Sequence, residues 1–211
     1  MTPALVLERL MLHPSYDQFV QRARQVAPVA LLDQADAAAT DAHRILADVA
    51  VRLSDNPARP TTAGDLPGWL RLSLLDTLTA FADGWATTCR HNPAADRPSP
   101  VVGAAWKPHT VVCPTCIHLL SLKHNPDADA LCDGCGHRCA GPEHGDGIYP
   151  GMVQLGPLLY QYGTCGGCRP EVAGNGPLRA TQTAEQDRPR GTGRVKPRGS
   201  RGRSRGRGGR A

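Results

Sequence analysis

Seven of the eight cysteines fall between Cys113 and Cys168, and six of them form three C-x2-C pairs: Cys113/Cys116, Cys132/Cys135 and Cys165/Cys168. Cys139 is the seventh, and His137 and His144 lie in the same stretch. A gap of two residues lets the backbone turn so that both sulfurs face one point, and Gly134, Gly136, Gly166 and Gly167 supply backbone freedom in or beside those turns. Convergent thiolates in this spacing suit a tetrahedral Zn²⁺, with Zn–S bonds of about 2.3 Å. The stretch therefore predicts a module held together by metal rather than by a large core.

Composition supports that reading. Two Phe, three Trp and four Tyr in 211 residues leave little aromatic material for a core, and small cores are where metal contributes folding energy. Arg and Gly are abundant, as a GC-rich genome alone would produce. The N-terminus lacks a basic n-region and is interrupted by Glu8 and Arg9, which argues against a signal peptide. No run reaches the roughly 18 apolar residues of a membrane span. A reducing cytoplasm is the expected location, where paired cysteines serve as metal ligands before disulfides.

Cys113, Cys116, Cys132 and Cys135 read as C-x2-C-x15-C-x2-C, a spacing suited to one structural zinc. Cys139, Cys165 and Cys168 then remain for a second ion, with His144 preferred over His137 as fourth ligand because four intervening residues let the chain fold back. One or two Zn²⁺ per chain follow. The same eight residues, taken as four pairs, also resemble the cross-braced two-zinc pattern of RING and PHD-like domains, in which first and third pairs share one metal and second and fourth the other. The x4 gap between Cys139 and His144 departs from that pattern. Cys89 reads as a small buried apolar residue, and His13, His43, His91, His109, His118 and His124 as surface or satisfied histidines.

The expected fold class is α+β: a helical N-terminal bundle, a small zinc-ribbon-like β module and a disordered Arg/Gly-rich tail. In residues 1–91, Thr2 and Pro3 form a helix start, and Pro14 and Pro28 separate three helices. A fourth carries the stripe Leu70, Leu74, Leu78, Phe81 and Trp85 and is expected to end near His91. Stripes facing one another would make the bundle. Residues 92–112 read as a linker and lead-in strand. Residues 113–171 form the metal module, with a strand over 117–123, a turn at Asn125-Pro126-Asp127 and strands on both sides of Pro157. Residues 172–211 show no apolar period and are expected to be disordered.

Charge is segregated. From Leu178 onward eleven basic residues face two acidic ones, whereas residues 1–177 carry thirteen basic and seventeen acidic. Arg194, Lys196, Arg198, Arg201, Arg203, Arg205, Arg207 and Arg210 are candidate nucleic-acid contacts of a salt-sensitive, sequence-independent kind, DNA or RNA. Neither H-E-x-x-H nor a deaminase-type H-x-E with P-C-x-x-C occurs, and no P-loop, G-x-S-x-G or G-x-G-x-x-G is present. These absences point away from an enzyme. A protein-interaction adaptor with a passive tail is the alternative, and a thiol redox sensor a third reading. The four aromatics Trp106, Tyr149, Tyr160 and Tyr162 serve either as stacking surfaces for bases or as the module's core.

The order of a Trp/Leu-rich helix (Trp69 to Trp85) followed by the cysteine pairs resembles the small zinc-ribbon accessory proteins of phages and mobile elements of high-GC bacteria. The resemblance covers residues 65–168. It implies a DNA-associated accessory role.

Overall fold

The computed structural model describes residues 1–53, 60–122 and 126–169. The Arg/Gly-rich tail, its eight candidate contacts and His124 lie outside the described residues.

Three helices open the chain: α1 (Pro3–Met11), α2 (Tyr16–Val26) and α3 (Val29–Leu53). Thr2 caps α1, its side chain accepting from the Leu5 N–H, with Pro3 at the first turn, where a missing N–H costs nothing. α2 buries no residue. The fourth helix, α4 (Gly68–Ala82), stops short of the expected end. Gly84 takes φ +77°, and the Trp85 N–H bonds back to the Ala80 carbonyl at 3.1 Å, a C-terminal closure that favours glycine. Trp85 thus leaves the stripe, and residues 85–91 become free to form the short strand β1 (Thr87–Thr88) and a loop.

The remaining strands are β2 (Val101–Ala104), β3 (Lys107–Val112), β4 (Tyr149–Leu155) and β5 (Leu158–Thr164), giving a five-stranded sheet in the order β1-β3-β2-β5-β4. Two hairpins, β2/β3 and β4/β5, meet through the parallel pair β2/β5, and β1 adds in parallel to β3. The lead-in to the first cysteine pair is therefore a whole hairpin. Residues 117–120, read as the start of a strand, belong instead to a 3-10 helix, Pro114–Leu120. Pro114 provides the reason, because it fixes φ at the first helical position directly after Cys113. The turn at 126 is one helical turn, α5 (Pro126–Asp129).

Side-chain alternation explains the layering. Val101, Val111, Leu158, Tyr160 and Tyr162 share one core cluster with Ala4 of α1 and Leu70, Leu74 and Leu75 of α4. Val102, Ala104, Val112 and Leu159 join the opposite cluster with Ala42 of α3 and with Cys89, Cys116 and Leu120. The apolar residues of α1 and α4 thus pack on one face of the sheet and those of α3 on the other. The fold is mixed α+β, with helices in the N-terminal half and the sheet after them. Its core runs across the segments that the sequence separates at residues 91 and 113.

Tyr160 anchors the first face. It is fully buried, and its hydroxyl lies 2.7 Å from Ser73 Oγ and 3.4 Å from Thr77 Oγ1, so its polar end is satisfied inside the core. Tyr162, also buried, meets Trp69 edge-on with ring centroids 6.1 Å apart. The Trp106 Nε1–H donates to the Leu120 carbonyl at 2.7 Å. Of the four aromatics, Tyr160 and Tyr162 are core residues.

Candidate metal centres

Strand direction decides where the cysteines go. β1 and β3 run parallel, and both run opposite to β5. Cys89 and Cys113, just after β1 and β3, therefore emerge at one end of the sheet, and Cys165, just after β5, at the other. Two separate centres result.

At the first end, Cys89, His91, Cys113 and Cys116 bring their ligand atoms within 4.8 Å of one another. Cys113 Sγ lies 3.7 Å from Cys89 Sγ, and His91 Nδ1 lies 3.3 Å from both Cys113 Sγ and Cys116 Sγ. A tetrahedral ion with bonds of about 2.3 Å to sulfur and 2.0 Å to nitrogen sets ligand separations of about 3.8 Å and 3.5 Å. The Cys113 N–H points at Cys89 Sγ (3.5 Å) and the Cys116 N–H bonds the Cys113 carbonyl (2.9 Å), which winds the Cys113–Cys116 knuckle. Cys89 and Cys116 belong to the core while His91 is exposed.

At the other end, Cys132, Cys135, Cys165 and Cys168 converge within the same 4.8 Å limit, with Cys135 Sγ and Cys165 Sγ 3.8 Å apart. Asp133 docks this knuckle onto β5: its N–H donates to the Gly163 carbonyl (2.9 Å) and its carboxylate accepts from the Gly163 N–H (2.6 Å). Gly134 lies against the Trp69 indole, which a Cβ at that position would approach to 3.1 Å. The cysteine knuckle is thereby held between a sheet strand and α4.

These groupings differ from the sequence-based pairing. Cys113 and Cys116 are not brought to Cys132 and Cys135; their companions are Cys89 and His91, which spacing alone assigned to packing and to the surface. Cys132/Cys135 with Cys165/Cys168 is the second half of the cross-braced arrangement. Its first half does not form, because Cys139 lies with His137 and Asp146. His144 is exposed and sits 3.7 Å from Glu143; the Gly141–Asp146 bridge closes its loop and leaves Pro142–His144 in an outward turn. The signal for Cys89 and His91 was present in the sequence as a C-x-H pair after the Asp83-Gly84 break. It was masked by extending the apolar stripe through Trp85.

Burial and hydrogen bonding divide the thiols. Thr115, whose hydroxyl lies 3.0 Å from Cys113 Sγ, draws the Cys113 thiol down to about 6 against the opposing effect of burial. Burial pushes Cys132 up, but backbone hydrogen bonds from Cys165, Cys135 and Gly134 outweigh it and bring that thiol to about 7. Burial pushes Cys116 up, and Cys168 is raised by its hydrogen bond with Cys135. Each set thus pairs a thiol that is drawn down with a neighbour that is pushed up. A bound dication supplies the charge that lets all of them ionise.

No family model matches the sequence, and no curated protein or solved structure is detectably similar to it. The metal-binding geometry therefore rests on the chain's own residues. Among the described residues, no helix is long and apolar enough to cross a membrane.

Proposed function

We propose that this is a zinc-stabilised binding protein in which two four-ligand centres, Cys89/His91/Cys113/Cys116 and Cys132/Cys135/Cys165/Cys168, each hold one structural Zn²⁺. The observation that carries this reading is ligand separation. Sulfurs 3.7 and 3.8 Å apart at opposite sheet ends match the edge of a zinc–thiolate tetrahedron, and four protein ligands at each centre match a structural role. Both sets join segments distant in sequence, so the ions act as clasps on the sheet. The thiols are all free, which suits a reducing compartment such as the cytoplasm.

The ligand we propose for the protein as a whole is nucleic acid, DNA or RNA, held non-specifically by the tail. Eleven cations against two acids from Leu178 onward support this, since each neutralised phosphate releases counterions. Retention on immobilised single- and double-stranded nucleic acid, with and without residues 178–211, tests it. Loss of a salt-sensitive retention on deletion is expected, and unchanged retention would remove the tail from the account.

A second reading, a protein-interaction adaptor, draws on Ile117 and Leu119, which are 41% and 46% exposed beside the first centre. It predicts partner capture that survives tail deletion and is lost in an Ile117→Asp/Leu119→Asp variant.

A further inference from the structure

Outside the two four-ligand sets, the chain builds another donor cluster from a different local device. Leu131 and Arg138 form an antiparallel bridge, the Cys132 N–H bonds the His137 carbonyl (2.8 Å) and the Cys139 N–H bonds the Ala130 carbonyl (2.8 Å). In extended chain, residues two apart point to the same side, so His137 and Cys139 present their donors together. Asp146 arrives from the far side of a closed loop, whose Gly141 N–H donates to the Asp146 carbonyl at 2.9 Å. Its carboxylate is held by the Ala140 N–H (3.0 Å) and faces His137 Nε2 (3.0 Å). All three ligand atoms lie within 4.8 Å of one another.

We propose that His137, Cys139 and Asp146 form a third metal site of a different kind, an exchangeable one that takes a divalent first-row cation such as Zn²⁺ and leaves one coordination position open. Three observations converge on it. One nitrogen, one sulfur and one carboxylate oxygen make a mixed set suited to a borderline cation. Three protein ligands are one short of the closed tetrahedron, which is how sites that admit water or a small ligand are built. Finally, Cys139, with Gly141, Pro142, Gly147 and Ile148, lines a cavity of about 390 Å³, which puts open space beside the sulfur ligand. Binding exchanges the Cys139 thiol proton for the metal and shifts the His137 ring proton to Nδ1, while Asp146 contributes a ready carboxylate. With His137 and Asp146 partly exposed and only three protein ligands to hold it, this ion trades with solvent, unlike those of the two four-ligand sets. The fourth ligand is a small donor: water, azide or a substrate's thiolate or carboxylate.

The test uses the full chain. Protein dialysed against metal-free buffer is equilibrated with zinc in tens of micromolar, and zinc per chain is counted before and after. The site predicts a rise from two to three in the wild type and none in His137→Ala or Asp146→Asn; these two are chosen because Cys139 packs with Cys132 and Cys165. Cobalt is then added to the dialysed protein, with azide titrated in. A visible spectrum that azide shifts in the wild type, with the shift lost in both variants, supports the open position. A count that stays at two, a rise to three that both variants retain, or a cobalt spectrum indifferent to azide overturns the proposal. A count below two after dialysis instead speaks against the structural centres, so the two failures are distinct.

Discussion

His91→Ala separates ligation from packing at the first centre. The side chain is exposed, so as a surface residue its truncation would shift stability by no more than about 0.5 kcal/mol. As a ligand it lies 3.3 Å from two sulfurs and 3.9 Å from a third, and its removal leaves three thiolates and a vacant position. Losing even an outer-shell partner of a metal site costs about 10- to 100-fold in affinity, so losing a ligand costs at least about 1.4 to 2.8 kcal/mol. For a chain of this size that corresponds to a fall in Tm of roughly 3 to 11 °C. Thermal unfolding at fixed zinc, with elemental analysis of the dialysed variant, reads both quantities. The difference must vanish when both proteins are stripped by chelator, since it acts through the ion. A variant that keeps full zinc content and the wild-type Tm would refute the assignment of His91 and return Cys113 and Cys116 to other partners.

Cys132→Ser should release one zinc per chain while leaving the first centre's ion in place, because sites at opposite sheet ends contribute additively; simultaneous loss of both ions would contradict separate centres. Gly151→Ala should destabilise by about 1 to 3 kcal/mol, since its Cβ would clash with the ring and hydroxyl of buried Tyr162; denaturant unfolding checks this, and a neutral result would show that the ring can move. Glu8→Ala should cost about 1 to 3 kcal/mol, because Glu8 Oε1 accepts from Arg71 Nε at 3.0 Å with both side chains 15% exposed, while Arg71 keeps the Ala63 and Leu66 carbonyls; a loss below about 0.5 kcal/mol would show the pair to be solvated.

Much of the architecture was legible because local rules decided it. Thr2-Pro3, the Pro14 and Pro28 breaks and the apolar positions of residues 29–53 determine the three opening helices. Pro157 beside Gly156, which takes φ +55°, determines the turn between β4 and β5. The boundary at Ala82 was hidden by Trp85, whose apolar character extended a stripe that Gly84 in fact terminates. That single boundary concealed β1, and β1 is what carries Cys89 and His91 to Cys113. Metal partners joined by strand pairing cannot be read from spacing, which explains why a plausible C-x2-C-x15-C-x2-C grouping does not form. His144 illustrates the same limit: its spacing from Cys139 suited a ligand, but the Gly141–Asp146 bridge gives the position to Asp146.

Zinc content of the full chain, purified without added metal and dialysed, tests the central claim most directly when combined with a count of free thiols before and after chelation. The account predicts two zinc per chain and eight thiols, seven of them in the two clasps and Cys139 outside them. Less than two zinc, or none with the thiols joined as disulfides, would contradict it.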